Sequence, residues 1–242
     1  MSFSFFKKKK QDQREVLTFS FKEEFENIYS FLCSHFNDDF EGAKKRFVEL
    51  TGQFDDENEY FNSKMDDFRH WFLFFYKYKS EFFYSLKKIQ SNQELKKFYE
   101  PLSCGVFSVF QITGVKDDTI SMKDMVKKNK YTLNDSSYSV SLSEGDIIQT
   151  AVFETSKDEY SFGMSMINHP IDTKSFIQKK IKLILKDTNK KTSTDEEFKK
   201  RNFEFLNELL VMRYQLFKYR QVKVNQIYND SPLTKKTTDG EQ

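Results

Sequence analysis

Apolar side chains recur at intervals of three and four residues along the first hundred positions, and this pattern predicts amphipathic helices rather than strands. A first helix is predicted from Gln13 to Phe36. A second helix is predicted to open with a capping box at Asp38 and Glu41 and to stop at Gly52. One face of each helix is apolar, so both are expected to lie against a core.

A third helix, predicted from Glu57 to Tyr78, has the most regular periodicity in the chain. Its apolar positions are spaced by four, three, four and three residues: Phe61, Met65, Phe68, Phe72 and Phe75. Ser91 and Glu94 repeat the capping-box spacing before Leu95 and Phe98, which predicts that the preceding segment with Phe82, Phe83 and Leu86 forms a separate helix with a break near Gln90.

The period changes to an alternating one near Pro101. Alternation predicts strands on both sides of a Lys116-Asp117-Asp118 turn, a strand from Tyr138 to Leu142, and two strands around a Lys157-Asp158 hairpin turn. Glu144-Gly145-Asp146 predicts the turn before the fourth strand. Five short strands in this space are typical of a meander or of a small barrel of the SH3-like or OB-like kind.

Helical periodicity returns after Pro170, and Thr194 with Glu197 forms a capping box before a long final helix. The sequence therefore predicts an α+β protein, mostly helical, with a small antiparallel five-stranded β unit between N-terminal and C-terminal helices. The predicted segments are 1–98 (helical), 99–168 (β unit), 169–228 (helices that pack back on the first segment) and 229–242 (a disordered tail).

The formal charge of the chain is only +2, so its overall electrostatics do not indicate a nucleic-acid ligand. The charges are unevenly distributed, because residues 99–168 carry 10 acidic and 6 basic side chains whereas residues 169–242 carry 10 and 16. Two distant cysteines, Cys33 and Cys104, favour a reducing cytoplasm over a disulfide framework. No apolar stretch is long enough for a transmembrane helix, and no signal peptide is expected.

Arg69, His70, Trp71 and Tyr76 are the candidate binding residues, because they lie in the aromatic segment of the third helix. They would form an aromatic ligand surface if the helix were exposed. The alternative interpretation is a buried core helix, since aromatic stripes at helical spacing are usually packing.

No metal, cofactor or catalytic residue is predicted. Asp66 with His70, and Cys33 with His35, each fall short of a complete ligand set. The sequence also lacks a nucleophile elbow and a Gly-rich phosphate loop.

A second function is suggested by the basic C-terminal helices, which would contact phosphates of a nucleic acid or of the ribosome. Lysines of the β unit are expected to matter less, because that segment is acidic overall. The candidate residues for this function are Lys199, Lys200, Arg201, Arg213, Lys218 and Arg220.

The segment Trp71 to Phe74 with Tyr76, followed by Leu142-Ser143-Glu144-Gly145-Asp146 and the exit at Pro170, resembles a poorly characterised family of bacterial cytoplasmic proteins. That family has a Trp-Phe-Leu-Phe-Asp-Tyr type motif before a small β module, and some members carry a C-terminal SEC-C zinc motif. The resemblance covers residues 55–170 and implies the same two-part architecture. Phe75 replaces the motif's Asp and the SEC-C cysteines are absent, so neither a role for that Asp nor the zinc is implied.

The function expected from these observations is a non-enzymatic binding or adaptor protein that contacts another protein through the β unit and the nearby aromatic residues. The alternative is the nucleic-acid or ribosome-associated protein described above. A hydrolase or metalloenzyme is the third hypothesis.

Overall fold

A computed structural model describes residues 21–55, 60–78, 81–156, 159–188, 195–219 and 221–230. The fold is α+β, as predicted, with a mostly antiparallel sheet between two sets of helices. The helices before the sheet are α1 (Phe21–His35), α2 (Asn37–Thr51), α3 (Phe61–Phe74), α4 (Tyr84–Ser91) and α5 (Lys96–Ser103). None of the described helices is long and apolar enough to cross a membrane.

Five strands follow, and a short helix lies between the third and the fourth. They are β1 (Val106–Lys116), β2 (Thr119–Asp124), β3 (Lys130–Asn134), α6 (Ser136–Ser139), β4 (Ile147–Ser156) and β5 (Glu159–His169). The chain then forms a 3-10 turn (Ile171–Thr173), α7 (Lys174–Thr188), α8 (Asp195–Lys218) and α9 (Val224–Ile227).

The strands pair in the closed order β1-β2-β3-β5-β4, with β4 returning to β1. Neighbours are antiparallel except for β3 and β5, which meet in parallel at the single pair Leu133 and Tyr160. The long strand β1 pairs with β2 and β4 at once, and its register shifts between Ile112 and Gly114. Such a bulge bends a strand strongly, as closure of a five-stranded sheet requires.

Two apolar clusters follow from this arrangement. The smaller one fills the inside of the closed sheet and includes Phe110, Ile120 and Ile148. The larger one joins the helices before and after the sheet to the sheet's helix-facing side. Trp71 Nε1 donates to Asn207 Oδ1 at 2.8 Å and so connects α3 to α8 across 136 residues of sequence.

The strand prediction from Tyr138 to Leu142 is wrong, and the third strand is Lys130–Asn134 instead. Asp135 caps α6 by accepting hydrogen bonds from the backbone N–H groups of Ser137 and Tyr138, which turns the chain away from extended structure. Tyr138 and Leu142 still pack against the cluster inside the sheet, which explains their apolar spacing.

The predicted caps have mixed outcomes. Gly52 ends α2 with φ +90°, as expected of a glycine stop. The Asp38 capping box is wrong, because α2 is preceded by Phe36, which gives no side-chain cap. Before α5 it is Asn92, not Ser91, whose side chain accepts from the backbone N–H groups of Glu94 and Leu95. The predicted box at Thr194, the Lys157-Asp158 turn and residues 231–242 of the predicted tail lie outside the described residues.

Candidate functional site

Three of the four candidate binding residues lie inside the helical core. His70, Trp71 and Tyr76 have exposed fractions of 6%, 3% and 6%. Arg69 is half-buried, and its guanidinium pairs with Glu26 at 2.7 Å and with Asp66 at 3.5 Å. These positions agree with the core-helix interpretation of the segment, and a partner on this surface would contact Arg69 but not the aromatic rings.

A buried polar cluster lies where α3 and α8 meet β5. Both oxygens of Asp67 accept hydrogen bonds at 2.6 Å, one from the Ser165 hydroxyl and one from the Tyr214 hydroxyl. Burial raises the pKa of the Asp67 carboxyl to about 6, although these two donors act in the opposite direction. His70 lies one turn away, and burial lowers its pKa to about 3, so its imidazole is neutral.

His169 continues this cluster towards α9. Its Nδ1 lies 2.9 Å from the Tyr228 hydroxyl and its Nε2 lies 3.2 Å from Gln149 Oε1. Because Gln149 uses its amide nitrogen to donate to the carbonyl of Leu206, its oxygen must accept, so His169 carries its proton on Nε2. Burial lowers the pKa of His169 to about 3. These hydrogen bonds join β4, β5, α8 and α9, which is a structural role.

The space beside this cluster is too small for a substrate. A cavity of about 10 Å³ is lined by His70, Thr150 and Ser165 among others. His70 Nδ1 has no hydrogen-bond partner among the described residues. Within those residues no group of three or more His, Cys, Asp or Glu side chains could hold a metal ion.

The candidate nucleic-acid residues separate into two groups at opposite ends of α8. Lys199, Lys200 and Arg201 lie in its first turns, and Arg213 and Lys218 lie in its last turns. Lys199 and Arg213 are fourteen positions apart, which corresponds to roughly 21 Å along the helix. Arg220 lies outside the described residues.

The first of these groups lies beside a lysine-rich hairpin of the sheet. Lys127 in the β2–β3 turn places its Nζ 5.8 Å from the ring centroid of Phe198 in α8. One turn further along the helix, Asn202 donates to the carbonyl of Phe107 in β1 at 3.0 Å. The structure therefore joins lysines of the β unit to the start of α8. We call the exposed set Lys123, Lys127, Lys130 and Lys199, with the partly exposed Lys200, the lysine surface.

Two residues of the lysine surface face each other directly. Lys123 in β2 and Lys130 in β3 are cross-strand partners, and both are exposed. Directly opposed like charges destabilise a sheet. Lys200 pairs with Glu196 at 3.1 Å, but Lys123, Lys127 and Lys130 have no ion pair within the part of the chain that the structure describes.

Asp124 fixes the turn that presents these lysines. It is fully buried, and its Oδ1 accepts from the Ser108 hydroxyl at 2.6 Å and from the backbone N–H groups of Val126 and Lys127 at 2.7 and 3.1 Å. Lys128 has φ +68° and its ammonium group donates to the carbonyl of Met125. The turn is therefore held by its own backbone and by Ser108, and the Lys127 side chain is exposed and takes no part in these hydrogen bonds.

No family model, curated protein or solved structure matches the chain. The resemblance to the family with the Trp-Phe-Leu-Phe-Asp-Tyr type motif therefore remains a prediction.

Proposed function

We propose that this protein binds single-stranded nucleic acid through the lysine surface. The observation that carries the proposal is the direct opposition of Lys123 and Lys130, two exposed lysines without an ion pair among the described residues. A phosphate between the two ammonium groups would relieve their repulsion. Binding would also release condensed counterions, which is the main source of affinity for nucleic-acid backbones.

The segregation of charge on the sheet supports this proposal despite the net acidity of the β unit. The acidic residues Asp117, Asp118 and Asp135 lie at the end of the sheet where β2 begins and β3 ends. Lys123 and Lys130 lie at the opposite end of the same two strands. A phosphate backbone would therefore meet positive charge at the hairpin even though the segment's total is negative.

The closed strand order supports a single strand as the ligand. The order β1-β2-β3-β5-β4, with β3 and β5 parallel, is the one found in OB-type barrels, which bind oligonucleotides on the outer face of their second and third strands. On that face Ser121 and Thr132 are cross-strand partners, and both offer hydroxyl groups. A depression of about 450 Å³ lies at the other end of β2, where Asp117 and Thr119 are among its lining residues, so it is separate from the lysine surface.

The adaptor function expected from the sequence receives less support. It depended on exposed aromatic residues beside the β unit, and His70, Trp71 and Tyr76 are buried. An acidic protein partner is one alternative occupant of the lysine surface, and the experiment below separates it from nucleic acid.

Fluorescence anisotropy with a labelled single-stranded oligonucleotide of about 16 nucleotides tests the proposal. Lys123→Glu with Lys130→Glu should weaken binding at least tenfold. It should also flatten the dependence of log affinity on log salt by about 0.7, because the two lysines share one phosphate and each phosphate contact on a single strand contributes about 0.7. Lys44→Glu with Lys45→Glu on α2 is the charge-matched control and should bind like the unmodified protein. Equal binding by both double variants would overturn the proposal, as would the absence of oligonucleotide binding at about 0.15 M salt.

A further inference from the structure

A second basic and aromatic group lies at the far end of α8, outside the lysine surface. Phe217 and Tyr60 are exposed to 43% and 52%, and their ring centroids lie 5.9 Å apart. The Arg213 guanidinium carbon lies 4.0 Å from the centroid of the Phe217 ring. We call Tyr60, Arg213 and Phe217 the aromatic platform.

The guanidinium N–H groups of Arg213 have no hydrogen-bond acceptor within the described residues. Asp67 is a nearby carboxylate, but its two oxygens accept from Ser165 and Tyr214 instead. A stacked guanidinium keeps its N–H groups free at the edge of its plane, so Arg213 can donate to an anion while its face lies on the ring.

The composition of the platform restricts the ligand that fits it. Two exposed rings offer flat apolar faces, and arginine adds both a positive charge and a planar fork of donors. Lys218, with its Nζ 5.3 Å from the Tyr219 ring centroid, adds positive charge at the same end of the helix. A planar base next to a phosphate matches all of these features, because bases stack on aromatic side chains while phosphates pair with arginine.

We propose that the aromatic platform is a second contact for single-stranded nucleic acid, at which a base stacks on Phe217 and Tyr60 and the adjoining phosphate accepts hydrogen bonds from Arg213. This inference rests on the function proposed above and adds a base-dependent contact to it. The lysine surface contains no aromatic ring on which a base could stack, so the two sites respond differently to a ligand that has phosphates but no bases.

Two probes separate stacking from charge: an oligothymidylate of about 16 nucleotides and inorganic polyphosphate of similar length. Phe217→Ala should weaken binding of the oligonucleotide roughly tenfold, the usual scale for the loss of one stacked base, and should change polyphosphate binding less than about twofold. Leu183→Ala, which removes an equally exposed apolar side chain from α7, is the matched control and should leave both unchanged. Lys123→Glu with Lys130→Glu should weaken both probes.

Phe217→Trp places a fluorescent indole in the platform itself. Because it keeps a large aromatic side chain, this variant tests the platform even if Phe217→Ala does not fold. The protein has a single natural tryptophan, Trp71, which is buried and hydrogen-bonded to Asn207. The new indole should preserve oligonucleotide affinity, and its emission should be quenched by the oligonucleotide and not by polyphosphate.

Three results would overturn the platform. The first is that Phe217→Ala leaves oligonucleotide binding unchanged. The second is that the emission of the Phe217→Trp indole stays constant when the protein is saturated with oligonucleotide. In either case, if Lys123→Glu with Lys130→Glu still weakens binding, the lysine surface binds nucleic acid without the platform. The third is an equal loss of both probes in Phe217→Ala, which would make the platform a plain anion site. If the unmodified protein binds no oligonucleotide at about 0.15 M salt, both proposals are wrong.

Discussion

The polar side chains on the two sides of the closed sheet differ in burial and in hydrogen bonding. On the helix-facing side, Ser165, Gln149 and His169 are buried and each is hydrogen-bonded. On the outer side, Lys123 and Lys130 face each other in water without an acidic partner in the described residues. Buried polar groups need partners because desolvation is costly, whereas exposed charges are tolerated without them. A paired buried polar group therefore indicates a structural role, whereas two like charges set directly opposite each other destabilise the sheet and so support the proposed anionic ligand.

The largest effect is expected in the helical core. Phe68 and Phe72 are 0% and 2% exposed, and each ring contacts Phe40 at a steep angle, with interplanar angles of 58° and 88°. Phe72→Ala should lower the free energy of unfolding by about 3 to 5 kcal/mol, the cost of emptying an aromatic core site. Chemical denaturation measures this free energy, and Leu183→Ala, which removes an exposed side chain, is the control. A loss within experimental error would mean that α3 is not the core helix described here.

A pH-dependent effect is expected from Asp67. Its folded pKa of about 6 exceeds its ordinary value of 3.8, so the folded state binds this proton more tightly. Its contribution to stability is fully present below about pH 4 and is lost as the pH rises through 6, by about 3 kcal/mol in total.

Asp67→Asn isolates this contribution, because the lowered pKa values of His70 and His169 affect both proteins alike. Relative to the variant, the unmodified protein should lose about 2 kcal/mol of unfolding free energy between about pH 4 and pH 7. Urea denaturation across that range is the measurement. A difference that stays constant with pH would show that Asp67 does not have a raised pKa.

The smallest effect is expected on the outer face of the sheet. Lys123→Ala should stabilise the protein slightly, by about 0.2 to 1 kcal/mol, because it removes one of two opposed like charges. The gain should shrink as salt screens the repulsion. Lys45→Ala, at an exposed position on α2, should show no such gain in thermal melts at low salt. Destabilisation by Lys123→Ala would mean that this lysine contributes to the fold, which would remove the strongest argument for a ligand.

The sequence predicts the helical core well, because burial of Phe68 and Phe72 follows from spacing alone. It predicts the third strand poorly. Lys130–Asn134 contains only two apolar residues, Tyr131 and Leu133, and the longer alternation from Tyr138 to Leu142 gives a stronger but misleading signal. Tyr138 and Leu142 pack against the interior of the sheet from α6 and the turn after it, whereas Val140 is 86% exposed.

The lysine surface could not be predicted from charge counts along segments. It depends on the contact of the β2–β3 turn with α8, where Lys127 meets Phe198, 71 positions later in the sequence. It also depends on the strand register that sets Lys123 opposite Lys130. A signal was nevertheless present in the sequence, since Lys127, Lys128 and Lys130 are close neighbours next to a turn. The expectation that these lysines matter less came from averaging them with acids at the other end of the sheet.

Protection of individual lysines from chemical acetylation tests the central claim most directly. The protein is treated with a limiting acetylating reagent, alone or saturated with a single-stranded oligonucleotide, and each lysine is quantified by mass spectrometry. We expect the oligonucleotide to reduce acetylation of Lys123, Lys127 and Lys130 several-fold and to leave Lys44 and Lys45 on α2 unchanged. Equal protection at all five positions, or protection on α2 alone, would contradict the assignment of the lysine surface as the nucleic-acid contact.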